Sequence, residues 1–286
     1  MISKPVVPPW DDSGKNIVRA QVRRGGRYTY RVMTVPGAPP PASGVICEPI
    51  YKGAGRYSPS LSQNLRVLLR GVRPRGVAIY HYFFAPNPAS SLAGRVQRMT
   101  ARVRTVQTVS STPVSYDHVS KLMFTDKIVV LSRDTERQMI DAGVDPTRLA
   151  MIRPGIEPIA RPDEGRRAAT RKALGIGPGP LVVFPGDYEV SSAARTVARA
   201  VPRLASMHAD VTVVFACRTK REASRAIRDR LRREVSAAGV GDRAQFLGAV
   251  DDMPALVGAA DAIVLPAESL YAKMDAPLVL LEAMSK

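Results

Sequence analysis

Apolar positions along the chain alternate between two periods. Short β-rich runs at 2–7, 27–35, 77–84, 105–109, 127–132 and 149–152 predict strands. Between them, apolar residues recur at helical spacing, as in Leu61, Leu65, Leu68, Leu69 and Val72. Helices are predicted over 14–24, 61–72, 90–102 and 133–142. Asp12 or Ser13 is a candidate N-cap for the first, Pro74 ends the second, and Gly143 closes the last. Residues 46–57, with Gly53 and Gly55, read as irregular.

The same alternation resumes after a polar, Pro- and Gly-rich stretch at 157–179, which carries a short helix over 163–174. Strands follow from PLVVF, at 211–216, at 244–247 and at 262–265, with helices over 191–207, 222–237 and 253–257. Strand and helix in turn argue an α/β fold with parallel, doubly wound sheets. The expected organisation is a domain over 1–156, a linker over 157–180 and a second domain over 181–286.

The last stretch, LPAESLYAKMDAPLVLLEAMSK, holds the most chemistry. A loop with Glu268, Lys273 and Asp275 leads to a helix starting near Pro277, where proline's missing N–H has no partner to lose. The first-turn amides of Leu278 and Val279, with the helix dipole, favour an anion there. Glu282, a turn further in, is placed to accept hydrogen bonds from sugar hydroxyls beside that anion. A diphosphate next to a ribose has this layout. A core helix with one satisfied glutamate explains the same spacing, and both readings stand.

Composition narrows the setting. Of 286 residues, 45% are apolar and 23% charged, ordinary for a globular protein. No apolar run approaches the ~20 residues that span a bilayer, and MISKPVVPPWDD has no signal-peptide core. Cys47 and Cys217 have no metal or disulfide spacing, so a reducing cytoplasm is the expected compartment. The net charge of +17 is uneven: residues 1–125 hold 18 Lys/Arg against 4 Asp/Glu, and the rest 24 against 21. A basic first half suits an anionic membrane, a nucleic acid or a phosphorylated acceptor; it equally suits a solvated surface. Arg95, Arg98 and Arg102 line one side of the helix at 90–102, and its thin apolar face favours solvent over lipid.

PLVLLEAM resembles the glutamate-bearing helix of nucleotide-sugar glycosyltransferases with the GT-B fold, in particular glycosyltransferase family 4 (glycosyl transferases group 1). DKIVVLSRDTERQMIDAGVDPTRLAMIRPGIEP and QFLGAVDDMPALVGAADAIVLP resemble the same family. The resemblance implies two Rossmann-like domains, the second incomplete. It implies transfer of a hexose from a nucleotide-diphosphate sugar to an acceptor hydroxyl, with retention, and with no metal or other cofactor. Glu282 matches the residue that holds the donor ribose. The residue contacting the transferred sugar falls on Met274, with Asp275 beside it as a substitute. Gly14 matches a glycine presented to substrates after the first strand, with Lys15 next to it. His81 resembles a histidine often found on its strand, and a core role fits it better than acid–base work. Trp10 either covers an acceptor or packs. No role passes to His118.

Two departures shape the expectation. Where the family has an Arg and a Lys for the diphosphate, this chain reads Gly186-Asp187-Tyr188-Glu189-Val190-Ser191. Arg218 and Lys220, at the end of the next strand, are the basic substitutes, since ligands in such sheets lie beyond the carboxyl ends of strands. They also read as the solvated start of a charged helix. The family's continuation past the glutamate helix is absent, so a truncated chain is expected, either active or a binding protein without turnover. The partners expected are a nucleotide sugar, a glycan, lipid-linked or small-molecule acceptor, and peripheral contact with the inner face of an anionic membrane. A dinucleotide oxidoreductase is disfavoured by the lack of a strand running into G-x-G-x-x-G, and RNA binding by the sparse aromatics.

Overall fold

The computed structural model describes residues 1–10, 12–53, 61–72, 76–113, 115–156, 163–219, 221–271 and 273–285. The chain divides into two compact units. The first comprises 1–155 and 271–277, the second 156–270 and 278–286. Pro74, residues 157–162 of the expected linker, and Lys220 lie outside the described residues.

In the first unit, α1 (Ser13–Arg24) starts where the Asp12 carboxylate accepts from the amides of Gly14 and Lys15, at 2.9 and 3.2 Å. Strands β1 (Arg31–Thr34) and β2 (Ile46–Pro49) pair in parallel. β2 lies in the stretch expected to be irregular: Ile-Cys-Glu-Pro shows no apolar run, and its pairing with β1 creates the strand. The expected strand at 2–7 is reduced to a connector. Ile2 bridges Tyr82, and the Val6 amide donates to the Met33 carbonyl at 2.9 Å.

Next come α2 (Leu61–Val72), β3 (Ile79–Phe83), α3 (Pro88–Ala101), β4 (Arg104–Val109), α4 (Val119–Leu122), β5 (Lys127–Val130), α5 (Arg133–Asp141) and β6 (Leu149–Met151). The parallel sheet has the order β3-β4-β5-β6. Asn87 caps α3 through the Ser90 amide and Pro88 opens it; Ser132 caps α5, whose first turn carries Asp134 and Glu136 against the dipole. Under α3, Gly94 meets the Phe124 ring so closely that a Cβ there would sit 2.1 Å from it. Glycine is therefore what lets α3 approach the core built on Tyr82 and Phe124.

The second unit runs α6 (Glu164–Ala173), β7 (Leu181–Phe184), α7 (Ala193–Met207), β8 (Thr212–Ala216), α8 (Glu222–Ala237), β9 (Ala244–Leu247), α9 (Met253–Ala259), β10 (Ala262–Ile263) and α10 (Leu278–Met284). Its parallel sheet has the order β10-β7-β8-β9. Val183, Val213, Val214 and Phe215 are fully buried, as parallel strands covered on both faces require. The Phe215 ring stacks on Phe246 at 4.5 Å and meets Phe184 edge-on at 6.0 Å.

Candidate functional site

In the second unit the chain passes from β7 through β8 to β9 in one direction. It then returns through α9 to β10 on the other side of β7. The connections that follow β7 and β10 thus part from each other, and such a switch point leaves a crevice at the carboxyl ends of the strands.

The loop after β7 is tightly organised. A Cβ on Gly186 would lie 2.0 Å from the Phe184 ring, so only glycine fits the turn. Asp187 is buried, and its Oδ1 accepts from the amides of Glu189 and Val190 at 3.3 and 3.0 Å. Tyr188 is buried in the core, and burial pushes its phenol far above the usual range. The Ser224 hydroxyl donates to Glu189, tying the loop to α8. Across from this loop, after β10, Glu268 binds the start of α7. Its Oε1 accepts from the Ser192 amide at 2.7 Å and its Oε2 from the Ser192 hydroxyl at 3.0 Å. The amide bond, foremost, holds the Glu268 carboxyl below its ordinary range. Beside this contact lies a cleft of about 250 Å³, lined by Tyr188, Glu189, Ser191, Ser192, Arg195 and Arg230 among others.

Glu282 sits half-buried on α10, a turn in from Leu278 and Val279, which open that helix. α10 packs on α9 within the same unit. Arg218 follows β8 directly, half-buried, after the buried Cys217. The second unit therefore carries Glu282, Leu278, Val279 and Arg218.

Asp275 groups instead with the first unit. Tyr271, Met274 and Asp275 lie along the extension of β4: Tyr271 bridges Thr112, Ser111 bridges Met274, and the Asp275 amide donates to the Ser110 carbonyl at 3.1 Å. Asp275 Oδ2 is enclosed and accepts no hydrogen bond from the described residues. Tyr116 is pushed above its usual range, mainly by burial, with Asp275 adding to the effect.

Gly14 lies inside the first turn of α1 rather than in a loop, and its amide is occupied by Asp12. Lys15 is buried, with Nζ 3.4 Å from the Val7 carbonyl, so it is a packing residue and not an open phosphate contact. Trp10 stacks under the Arg19 guanidinium. His81 Nε2 meets Thr108 Oγ1 at 2.7 Å, and its ring packs on Phe83. Burial first, then the N-terminal amine, pushes its pKa down to about 4, which keeps it neutral. His118 caps α4 with a left-handed backbone.

Sequence reasoning missed the Glu268–Ser192 clamp and the arginines of the cleft. Arg195 had one signal, its place in the first turn of a predicted helix at the end of a strand–turn unit. Arg230 had none, being one of many arginines on α8. Among the described residues no His, Cys, Asp and Glu converge as a metal site, and no helix is long and apolar enough to cross a membrane.

Residues 179–286, nearly all of them in the second unit, match the family model described as Glycosyl transferases group 1. No curated protein matches the chain. Among solved structures, Anabaena Alr3699/HepE in complex with UDP-glucose superposes with a TM-score of 0.72 at 15% identity, over 99% of this chain and 77% of that one. Sucrose-phosphate synthase from Thermosynechococcus elongatus gives 0.70 at 17%, over 94% and 72%. WaaG, a glycosyltransferase involved in lipopolysaccharide biosynthesis, gives 0.60 at 17%, over 98% and 76%. The chain has the fold of the GT-B glycosyltransferases, and its residues 179–286 match the model described as Glycosyl transferases group 1.

Proposed function

We propose that the protein transfers a hexose from a nucleotide-diphosphate sugar to an acceptor hydroxyl, with retention of configuration. One observation carries the reading: the group 1 segment holds the glutamate helix and the β7/β10 crevice in one compact unit. The Anabaena structure of the same fold holds UDP-glucose, which supports a uridine nucleotide as the first donor to try.

Glu282 accepts hydrogen bonds from the ribose hydroxyls. The first-turn amides of Leu278 and Val279 and the Arg218 guanidinium face the diphosphate, with Arg195 and Arg230 as further cations at the neighbouring cleft. Their fixed positive field stabilises the charge that develops on the leaving diphosphate, the main demand of the reaction. Asp275 is proposed as the contact for the transferred sugar on the family resemblance alone. The acceptor is a glycan, a lipid-linked or a small-molecule alcohol, met on the cytoplasmic side.

The test is two-part. Titration of the chain with UDP, read by NMR or calorimetry, is expected to saturate, and Glu282→Gln to weaken it. Incubation with UDP-glucose and candidate acceptors is expected to release UDP. Saturable binding without release would favour a nucleotide-sugar-binding protein that does not turn over. Absence of UDP and UDP-sugar binding to a folded chain would end the reading.

A further inference from the structure

α7 carries its charge in a single row. It holds Arg195, Arg199 and Arg203 and no acid. Ala193, Ala194, Val197, Ala198 and Val201 turn to the sheet and are buried. The three arginines, at four-residue intervals, are exposed on the opposite side. Each interval is about 6 Å along the axis with a turn of about 40°, so the side chains leave the helix along one slowly winding line. Like charges at this spacing repel and work against the helix that carries them.

The arginines of the neighbouring helix are paired. On α8, which packs beside α7, Arg225 meets Glu222 at 3.2 Å, Arg228 meets Asp229 at 2.8 Å and Arg230 meets Glu234 at 3.6 Å. Among the described residues no carboxylate pairs with Arg195, Arg199 or Arg203. The acids at the start of the row are held by other groups, Glu189 by Ser224 and Glu268 by Ser192. The row opens at the cleft lined by Ser191, Ser192, Arg195 and Arg230. There the Ser191 hydroxyl accepts from the Ala193 amide at 3.3 Å and keeps its proton to give.

We propose that the outer face of α7 binds a linear, base-free phosphodiester chain. Arg199 and Arg203 each grip a phosphate, and Arg195 with Ser191 receives the end of the chain at the cleft. A guanidinium fork meets two phosphate oxygens at once, and the hydroxyl serves a further one. A chain with a short polyol between successive phosphates repeats on the scale of the row. Other occupants fit less of the surface. A lipid boundary needs apolar rows, but Thr196, Ala200 and Ser206 stand beside the arginines, and Met207 is the one large apolar side chain that α7 exposes. A single-stranded nucleic acid needs stacking platforms, and neither α7 nor α8 has an aromatic residue. The inference goes beyond the transferase reading, and binding alone tests it.

The experiment is titration of the whole chain with synthetic poly(glycerol phosphate), oligothymidylate and poly-glutamate of matched charge, over a salt series. The glycerol phosphate polymer is expected to bind tightest. The variant Arg199→Gln, Arg203→Gln should weaken it roughly tenfold per arginine and lower the slope of log K on log salt by about 0.7 for each. Glutamine keeps the helix and removes the row's self-repulsion, so this variant should melt no lower than the parent. Arg24→Gln with Arg66→Gln removes the same charge from exposed sites of the first unit and should change binding by less than about twofold. A row variant that binds like the parent would overturn the proposal. So would a first-unit variant that loses as much, since net charge would then be the whole cause. Tighter binding of oligothymidylate or of poly-glutamate would overturn the occupant and give the face to a nucleic acid or an acidic peptide.

Discussion

Glu268 spends both carboxylate oxygens on one residue, Ser192: the amide at 2.7 Å and the hydroxyl at 3.0 Å. Ser192, the N-cap of α7, makes no side-chain cap of its own; a glutamate 76 residues away anchors it, while the Ser191 hydroxyl accepts from the Ala193 amide at 3.3 Å. Glu268→Ala should therefore speed hydrogen exchange at Ser192 and the first turn of α7, with the amides of β7 and β8 unchanged. The linkage has a definite sign. A carboxyl held below its ordinary value adds stability above that value and loses it as pH falls through the folded one. Glu268→Gln should accordingly flatten the acid limb of a melting-temperature profile. Equal exchange in parent and alanine variant would show that the clamp does not hold the helix start.

Glu282 allows a sharper separation of binding from folding. Glu282→Gln keeps the size of a half-buried side chain, so the fold should be retained, and a melting curve of the variant checks it. If the carboxylate holds the ribose, losing charge-assisted hydrogen bonds of ~1.5–3 kcal/mol should weaken UDP binding by roughly ten- to a hundredfold. Deoxyribose analogues supply the cross-check. The parent should discriminate between UDP and its 2′-deoxy or 3′-deoxy form, and the Gln variant should lose that discrimination. Calorimetry of both nucleotides against both proteins measures it.

The sequence shows most of the fold because parallel strands covered on both faces read as continuous apolar runs, while the helices keep their own period. Leu181–Phe184, Thr212–Ala216 and Lys127–Val130 are legible for that reason. β2 is not legible: Ile-Cys-Glu-Pro becomes a strand only by pairing with β1. Residues 2–7, Ile-Ser-Lys-Pro-Val-Val, have their apolar ends interrupted by Lys4 and Pro5 and form no strand: the chain there shifts its pairing from Tyr82 to Met33 within four residues. The site divides in the same way. The Glu282 helix carries its pattern locally. The clamp from Glu268 to Ser192 and the grouping of Asp275 with Ser110 depend on contacts far apart in sequence, and no local spacing encodes them.

His81 predicts a pH effect with a definite window. Its folded pKa is about 4 against an ordinary 6.5, with burial as the main cause. As pH falls through 6.5 the unfolded chain takes up a proton that the folded chain refuses. Stability should drop between there and about pH 4, by at most ~3 kcal/mol. The N-terminal amine, lowered to about 6 from 8.0, acts in the same direction at higher pH. His81→Gln keeps a polar group near Thr108 and should remove the slope below pH 6.5 while leaving the one above it. Urea unfolding at a series of pH values distinguishes the two. A parent whose stability is flat over the lower window would show that His81 is open to water.

Asp261 is the polar keystone of the second unit. It stands just ahead of β10 and accepts from the Leu181 amide at 2.7 Å, from Arg171 at 2.6 Å and from Arg167. Arg171 is itself buried and also donates to the carbonyls of Ala259 and Gly179. Burial pushes the Asp261 carboxyl up, but these hydrogen bonds outweigh it and hold the group below its usual value. Asp261→Asn keeps the shape and removes the charge that Arg171 faces, so it should cost about 2 kcal/mol. Asp261→Ala leaves both Leu181 and Arg171 short of an acceptor and should cost more. The exposed pair Arg137–Asp134 is the control, since breaking it with Asp134→Asn should change stability by less than about 1 kcal/mol. Urea midpoints for the three variants at neutral pH test the ordering. If Asp261→Asn matched the control, the network would be no more than a surface ion pair, and the β7–β10 pairing would rest on packing alone.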